Sequence, residues 1–266
     1  TVQKNLKSSD EIRIVLIGKT GVGKSAAANA ILGKQKFKSE LSASSVTSKC
    51  DKDKGNVNGQ KVAIIDTPGF FDTKNKNTEI EAEIKLCISL SAPGPHIFLV
   101  VMQLGRFTEE EKHTVERIQK VFGEQASKYI MVLFTHGDQL KKQQKDIHDY
   151  VKESPDLYNF IKTTSGWYHV FDNIANDQNQ VNRLFEIIDQ LVILNGKTHY
   201  TNNMLQEAEK AIEEEKVRLM VEKRMEEQAA RDRAERNNAF LKAGLAVAGV
   251  GISVGVAIAA RVCSCQ

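Results

Sequence analysis

Eight residues near the start of the chain, Gly18-Lys19-Thr20-Gly21-Val22-Gly23-Lys24-Ser25, have the types and spacing of a phosphate cradle. Glycines let backbone N–H groups converge on phosphate oxygens with no Cβ in the way. A helix opening at the end of such a loop adds its positive dipole end. Lys24 supplies a point charge for the β- and γ-phosphates, the Ser25 hydroxyl is a ligand for Mg²⁺, and Ala26 continues the contact into the helix. The apolar run IRIVLIG precedes the motif and the helical stretch AAANAIL follows it, a context that a chance glycine-rich turn lacks.

A second cluster, Asp66-Thr67-Pro68-Gly69, ends the next long apolar run. A carboxylate there is placed to hold Mg²⁺, and the Gly69 N–H to approach a γ-phosphate. Between the two lies SASSVTSKC, in which Thr47 is the candidate hydroxyl for the same ion, with Ser44, Ser45 and Ser48 as competitors. Further on, Thr135-His136-Gly137-Asp138 follows the apolar run YIMVLF. An Asp in that place pairs its two acceptors with the N1 and N2 donors of guanine, which adenine does not match. The usual N-K-x-D pattern is altered: His136 replaces the Lys that covers the base, and Thr135 an Asn that braces the loop. Asp138 as a plain turn cap is the competing reading.

These residues need a scaffold that brings strand ends together. Runs at 12–18, 61–67, 96–103 and 128–135, with a weaker one at 167–171, read as buried strands with helical patterns between most of them. That alternation is the mark of an α/β domain with a mainly parallel sheet covered by helices on both faces. Asn58-Gly59 separates two strand-like segments between Cys50 and Asp66 and predicts a hairpin, hence one antiparallel edge strand. Residues 10–196 form the expected nucleotide-binding domain.

Residues 197–238 are different in composition. More than half of the residues from Glu207 to Arg236 are charged, with no Gly or Pro, so one long helix is expected. Glu214–Arg218, Glu227–Arg231 and Asp232–Arg236 are its supporting i,i+4 pairs. Leu205, Ile212 and Leu219 recur every seven residues, but Glu215 and Glu222 interrupt the seam, which favours a solvated or domain-packed helix over a coiled coil. Residues 239–266 are the third region, and Ala243–Ala260 is an uncharged stretch of 18 residues. At ~1.5 Å per residue it nearly matches a ~30 Å hydrocarbon core. A membrane anchor at a cytosolic face is expected, with docking onto the main domain as the alternative, and Cys263 and Cys265 as candidate acylation sites.

Net charge is +3 over 266 residues, with 41% apolar and 27% charged residues. This supports a folded core and, without basic clustering on one face, excludes a nucleic-acid footprint. Four cysteines without a metal-ligand pattern beyond the last pair, and a start with no apolar stretch of signal-peptide length, predict a reduced, cytosol-facing setting.

The combination GKTGVGKSAAANAILG, DTPGFFDT, SLSAPGPHIFLVVMQLGRFTEEEK and FTHGD resembles the GTPases of the immunity-associated protein family (GIMAPs), which stand with the septin- and Toc-like GTPases. The likeness covers roughly residues 11–195, and Leu90–Glu110 is its most specific part. It implies binding of GTP or GDP, dimers or oligomers formed through the nucleotide face, hetero-oligomers with related GTPases, and membrane-associated scaffolds. WYHVFDN resembles the family's base-contacting F-N-N segment, which assigns Asn173 to the base while Asp172 departs from the pattern. Phe70 and Phe71 stand where fast GTPases often have a water-orienting Gln, so slow intrinsic hydrolysis is expected. Arg106 leaves the carboxyl end of a central strand, where it is either an arginine finger for a partner's γ-phosphate or a cap paired with Glu109 or Glu110. A nucleotide-locked scaffold with negligible hydrolysis is the alternative function.

Overall fold

The computed structural model describes residues 11–37, 49–68, 77–172 and 177–243. Its centre is a sheet in the order β2-β3-β1-β4-β5-β6, built from β1 Ile12–Ile17, β2 Asp51–Val57, β3 Gln60–Asp66, β4 Ile97–Gln103, β5 Ile130–Thr135 and β6 Tyr168–Val170. All neighbours are parallel except β2 and β3, which turn back on each other at Asn58-Gly59 with φ of 52° and 85°. The expected α/β class, hairpin and antiparallel edge are thus present.

Period-2 alternation explains why the strands read as nearly unbroken apolar runs: both faces are covered. Ile12, Ile14 and Leu16 face one layer, formed by α1 (Lys24–Leu32) and, later in the chain, by a long helix near residue 185; Val15 and Ile17 face the other. That second layer begins with α2 (Asn77–Ser91) and α3 (Glu109–Phe122). Short helices α4 (Asp138–Lys142), α5 (Ile147–Glu153) and α6 (Pro155–Lys162) continue the chain beyond β5. The long helix of the first layer is α7 (Gln178–Leu194), whose Leu184 and Ile188 are fully buried.

The charged region departs from its expectation of one continuous helix. It forms α8 (Asn203–Lys223), reverses at Arg224 in the left-handed region (φ 50°), returns as α9 (Glu227–Arg236), and ends in α10 (Ala239–Lys242). Propensity favoured one rod, but tertiary burial of Ala230 and Ala234, both 0% exposed, favours folding back. Leu205, Ala208, Ile212 and Leu219 pack into the same core as α2, so the heptad-like spacing marks a helix packed on its own domain. The expected i,i+4 pairs are replaced. Arg218 bonds Glu215 and Glu222, Arg231 bonds Glu209, Glu213 and Glu235, and Arg236 reaches Asp51 at 2.8 Å. Arg218 keeps partners one turn away on its own helix, whereas Arg231 and Arg236 gain partners that only folding brings near. Among the described residues no helix is long and apolar enough to cross a membrane, and residues 244–266, including Cys263 and Cys265, lie outside them.

The segment that the sequence marks as most distinctive has a structural task. Ala92 O accepts from Arg231, Gly94 O from Arg13, and Pro95 O from the Tyr200 N–H, while Ser89 donates to the Glu235 carbonyl at 2.6 Å. Residues 89–95 therefore join β1, the chain before α8, and α9.

Candidate functional site

Three strand ends converge at the carboxyl edge of the sheet, on either side of β1, where β3 and β4 flank it. Chain connections leave toward opposite sides there, which is where open α/β sheets bind ligands. Gly18 leaves β1 at φ 153°, and a Cβ on it would lie 2.3 Å from the Val101 carbonyl, so the loop can run this close to β4 only with glycine. Gly23 caps α1 at φ 92° and ψ 23°, a left-handed turn that aims the first N–H groups of the helix into the loop.

Inside this cradle, the buried Lys24 ammonium donates to the carbonyls of Gly18 (3.0 Å) and Lys19 (2.7 Å), which holds it over the loop. Val22 is buried beneath, and its carbonyl accepts the Thr135 hydroxyl at 2.7 Å. Thr135 therefore ties the loop that follows β5 to the glycine-rich loop, at the position where the sequence predicts a bracing residue. Thr20 and Ala26 flank the same turn, partly accessible. Lys19 reaches away from the loop to the Thr108 hydroxyl (2.5 Å) and Glu110 (3.2 Å) at the start of α3.

Ser25 and Asp66 meet at this edge. The Ser25 hydroxyl donates to Asp66 Oδ2 at 2.6 Å, and Asp66 is 1% exposed. Its other oxygen, Oδ1, is buried with no hydrogen-bond partner among the described residues. Burial pushes the Asp66 carboxyl above its ordinary range and nearby Asp51 adds to this; the Ser25 hydrogen bond and the Lys24 charge oppose the rise. An orphaned buried carboxylate oxygen is costly unless something comes to it. The pair Ser25 and Asp66 offers two hard oxygen donors at the edge of a phosphate loop, a set that fits Mg²⁺, which takes one or two protein ligands beside phosphate oxygens. Neighbouring Thr67 anchors the strand end by donating to Leu16 O at 2.6 Å.

After β5, where the sequence leads one to expect the base, His136 has φ 64°, and its Nδ1 lies 3.1 Å from Thr135 Oγ1, which orients the ring. Asp138 opens α4, where Lys142 donates to it at 2.8 Å and holds its carboxyl below the usual range. Gly137 packs against the end of β6 by donating to Phe171 O at 2.9 Å. Asp172 beyond it is clasped by Gln180, which accepts from its N–H and donates to its carbonyl.

Arg106 lies after β4, exposed, and makes no hydrogen bond or ion pair among the described residues. Its expected capping partners are occupied elsewhere: Glu109 by Lys112 at 2.7 Å and Glu110 by Lys19. The cap of α3 is instead Thr108, whose backbone N–H and hydroxyl both donate to Glu111. Thr47, Gly69 and Asn173 lie outside the described residues. The chain entering the Thr47 segment is fixed by Asn29, whose Oδ1 accepts from Lys36 and Phe37 N–H groups at 2.9 Å. Asn29 belongs to no spaced motif, and Thr135 meets Val22 across 113 residues, so neither contact has a local signal in the sequence.

Comparison with known proteins agrees with this fold. Residues 12–219 match the model of the AIG1 family. The chain is 35% identical over 196 residues to human GTPase IMAP family member 8, covering 72% of this chain and 29% of that protein. It is 38% identical over 200 residues to Immune-associated nucleotide-binding protein 7 of Arabidopsis thaliana, covering 71% and 63%. It thus spans less than two thirds of the length of either relative. Among solved structures, Arabidopsis thaliana Toc33 in complex with GDP and Mg²⁺ superposes with a TM-score of 0.55 at 19% identity, over 70% of this chain and 85% of Toc33. With the family model spanning the whole sheet and its flanking helices, the chain belongs to the AIG1 family.

Proposed function

We propose that this protein binds GTP and GDP with Mg²⁺ at the carboxyl edge of its sheet and hydrolyses GTP slowly alone and faster when two copies meet through that face. The observation that carries the reading is the Ser25–Asp66 pair, with one buried carboxylate oxygen left open beside a phosphate loop. Names borne by relatives, GTPase IMAP and immune-associated nucleotide-binding, point the same way.

In this reading, the loop N–H groups and Lys24 take the phosphates, and Lys24 exchanges its carbonyl partners Gly18 and Lys19 for phosphate oxygens. Ser25 and Asp66, with Thr47, would hold Mg²⁺, which supplies charge neutralisation between the β- and γ-phosphates. The Gly69 N–H approaches the γ-phosphate. Asp138 accepts from guanine, His136 lies along the base, and Asn173 contacts the base. The hydrolytic supplement is Arg106, a solvent-facing cation on the same edge whose neighbours leave it unpaired among the described residues. For Toc33, fold-related but distant in sequence, dimerization is important for GTPase activity and an arginine-to-alanine variant is dimerization deficient.

Single-turnover hydrolysis at rising protein concentration tests this directly. The rate per molecule should rise with concentration and Arg106→Ala should remove the rise, since a supplied arginine is worth ~10³–10⁵ in rate. A rate flat with concentration would leave a nucleotide-locked scaffold instead. Attachment to the cytosolic side of a membrane, and hetero-oligomers with related GTPases, extend the same proposal. The support for attachment is the uncharged stretch 243–260. A chain ending at Asn238 should then leave the membrane fraction, and equal solubility of both forms would count against it.

A further inference from the structure

The loop that carries Arg106 is built unlike an ordinary surface loop. Every residue around the arginine is anchored, and the arginine is not. Leu104 is buried, and its N–H donates to Thr135 O at 3.2 Å. Phe107 packs on Phe160, ring centroids 5.2 Å apart. Thr108 receives Lys19 from the phosphate loop and holds Glu111 through its cap. Most specific is Gly105, gripped at both polar atoms by one side chain: its N–H donates to the Tyr150 hydroxyl at 3.0 Å, and that hydroxyl donates to its carbonyl at 2.6 Å.

Tyr150 sits on α5, outside every nucleotide motif of the sequence, and its ring is set by the edge of Phe134 (centroids 5.9 Å) and by Lys145 Nζ at 5.9 Å from its centroid. A hydroxyl used as both donor and acceptor to a single exposed glycine adds little stability, since water would satisfy both groups. What it does fix is the direction of the backbone one residue before Arg106. Gly105 has φ 152°, and a Cβ there would meet open space, so this glycine serves the loop's path rather than packing. A side chain with four rotatable bonds delivers its charge to a partner only from a fixed base, and a misplacement of ~1 Å costs about a hundredfold in rate.

We infer that Tyr150 is a positioning residue for Arg106, locking the loop so that the guanidinium is presented toward the phosphate site of a second copy. The inference rests on the proposed action of Arg106 in trans. Tyr150→Phe keeps the ring contacts and removes only the grip, so the fold and GTP affinity should be untouched.

The test is a double-mutant cycle on full-length chains, reading single-turnover hydrolysis against protein concentration, with GTP affinity and melting temperature as controls. Tyr150→Phe should lower the concentration-dependent increment roughly ten- to a hundredfold, and it should change nothing further in the Arg106→Ala background. Gly105→Ala, which strains the same backbone without steric contact, should reproduce the loss. If Arg106→Ala abolishes the increment while Tyr150→Phe matches the unaltered chain, the positioning role is refuted and the arginine stands. If Tyr150→Phe lowers the rate equally in both backgrounds, its effect is structural and the inference fails. If Arg106→Ala leaves the increment intact, the trans arginine itself is wrong and the inference falls with it.

Discussion

Asp66 and Glu235 are both carboxylates buried in the same domain, 1% and 3% exposed, and they are treated in opposite ways. Glu235, on α9, meets the Lys52 ammonium with both oxygens at 2.8 Å and the Arg231 guanidinium at 3.0 Å. Arg231 extends the network to Glu209 and Glu213, and Arg236 reaches Asp51. Asp66 has one hydroxyl on Oδ2 and nothing on Oδ1 among the described residues. Burial costs a charge its hydration, and a stable fold recovers that cost by pairing. A closed network therefore marks a place that has finished its work in folding, and an open buried oxygen marks one held for a ligand.

The largest expected effect comes from opening the closed region. Glu235→Leu leaves Lys52 buried without its carboxylate and should cost about 3–5 kcal/mol in urea unfolding. GTP affinity of the folded fraction should persist, because the partners of Glu235 among the described residues, Lys52, Ser89 and Arg231, include none of the phosphate-loop residues 18–25. A loss below about 1 kcal/mol would mean that the two regions do not differ as described.

A smaller effect sharpens the same contrast through pH. His96, at the start of β4, accepts the Arg13 N–H on Nδ1 at 3.0 Å. Burial pushes its pKa from 6.5 down to about 3, with the charges of Arg13 and His199 adding to the drop. Between those values the unfolded chain binds a proton that the folded chain refuses. Stability is full above the unfolded pKa and is lost as pH falls, by about 1.4 kcal/mol per pH unit. From pH 7 to pH 5 this amounts to about 2 kcal/mol in denaturant titrations. His96→Asn, which retains an acceptor but no titrating ring, should flatten that part of the slope. An unchanged slope in the variant would assign the pH dependence to other groups.

Much of this molecule can be read before it is folded. Runs such as IRIVLIG and YIMVLF announce strands because both faces of the sheet are covered, and Asn58-Gly59 announces the hairpin by its positive φ. The phosphate loop and Asp66 are legible because glycine geometry and charge leave few substitutes. Partner choice in the C-terminal helices is not legible. Lys52 and Glu235 are separated by 183 residues, and local i,i+4 rules offered Arg231 and Arg236 plausible but wrong neighbours. The turn at Arg224 is likewise hidden, because no Gly or Pro marks it and only the burial of Ala230 and Ala234 requires it. Tyr150 escapes for a related reason: its role depends on one backbone contact 45 residues away.

The central claim is that Asp66 keeps an oxygen open for a Mg²⁺-bound guanine nucleotide. Calorimetric titration of the full chain and of Asp66→Asn with GTP and with ATP, each with Mg²⁺ and with a chelator, tests it most directly. The account predicts Mg²⁺-dependent binding of GTP well above that of ATP in the unaltered chain. In Asp66→Asn the Mg²⁺ dependence should vanish while the melting temperature holds or rises, because the variant no longer buries a charge. Equal binding of ATP and GTP, or Mg²⁺-dependent GTP binding that survives in Asp66→Asn, would contradict it.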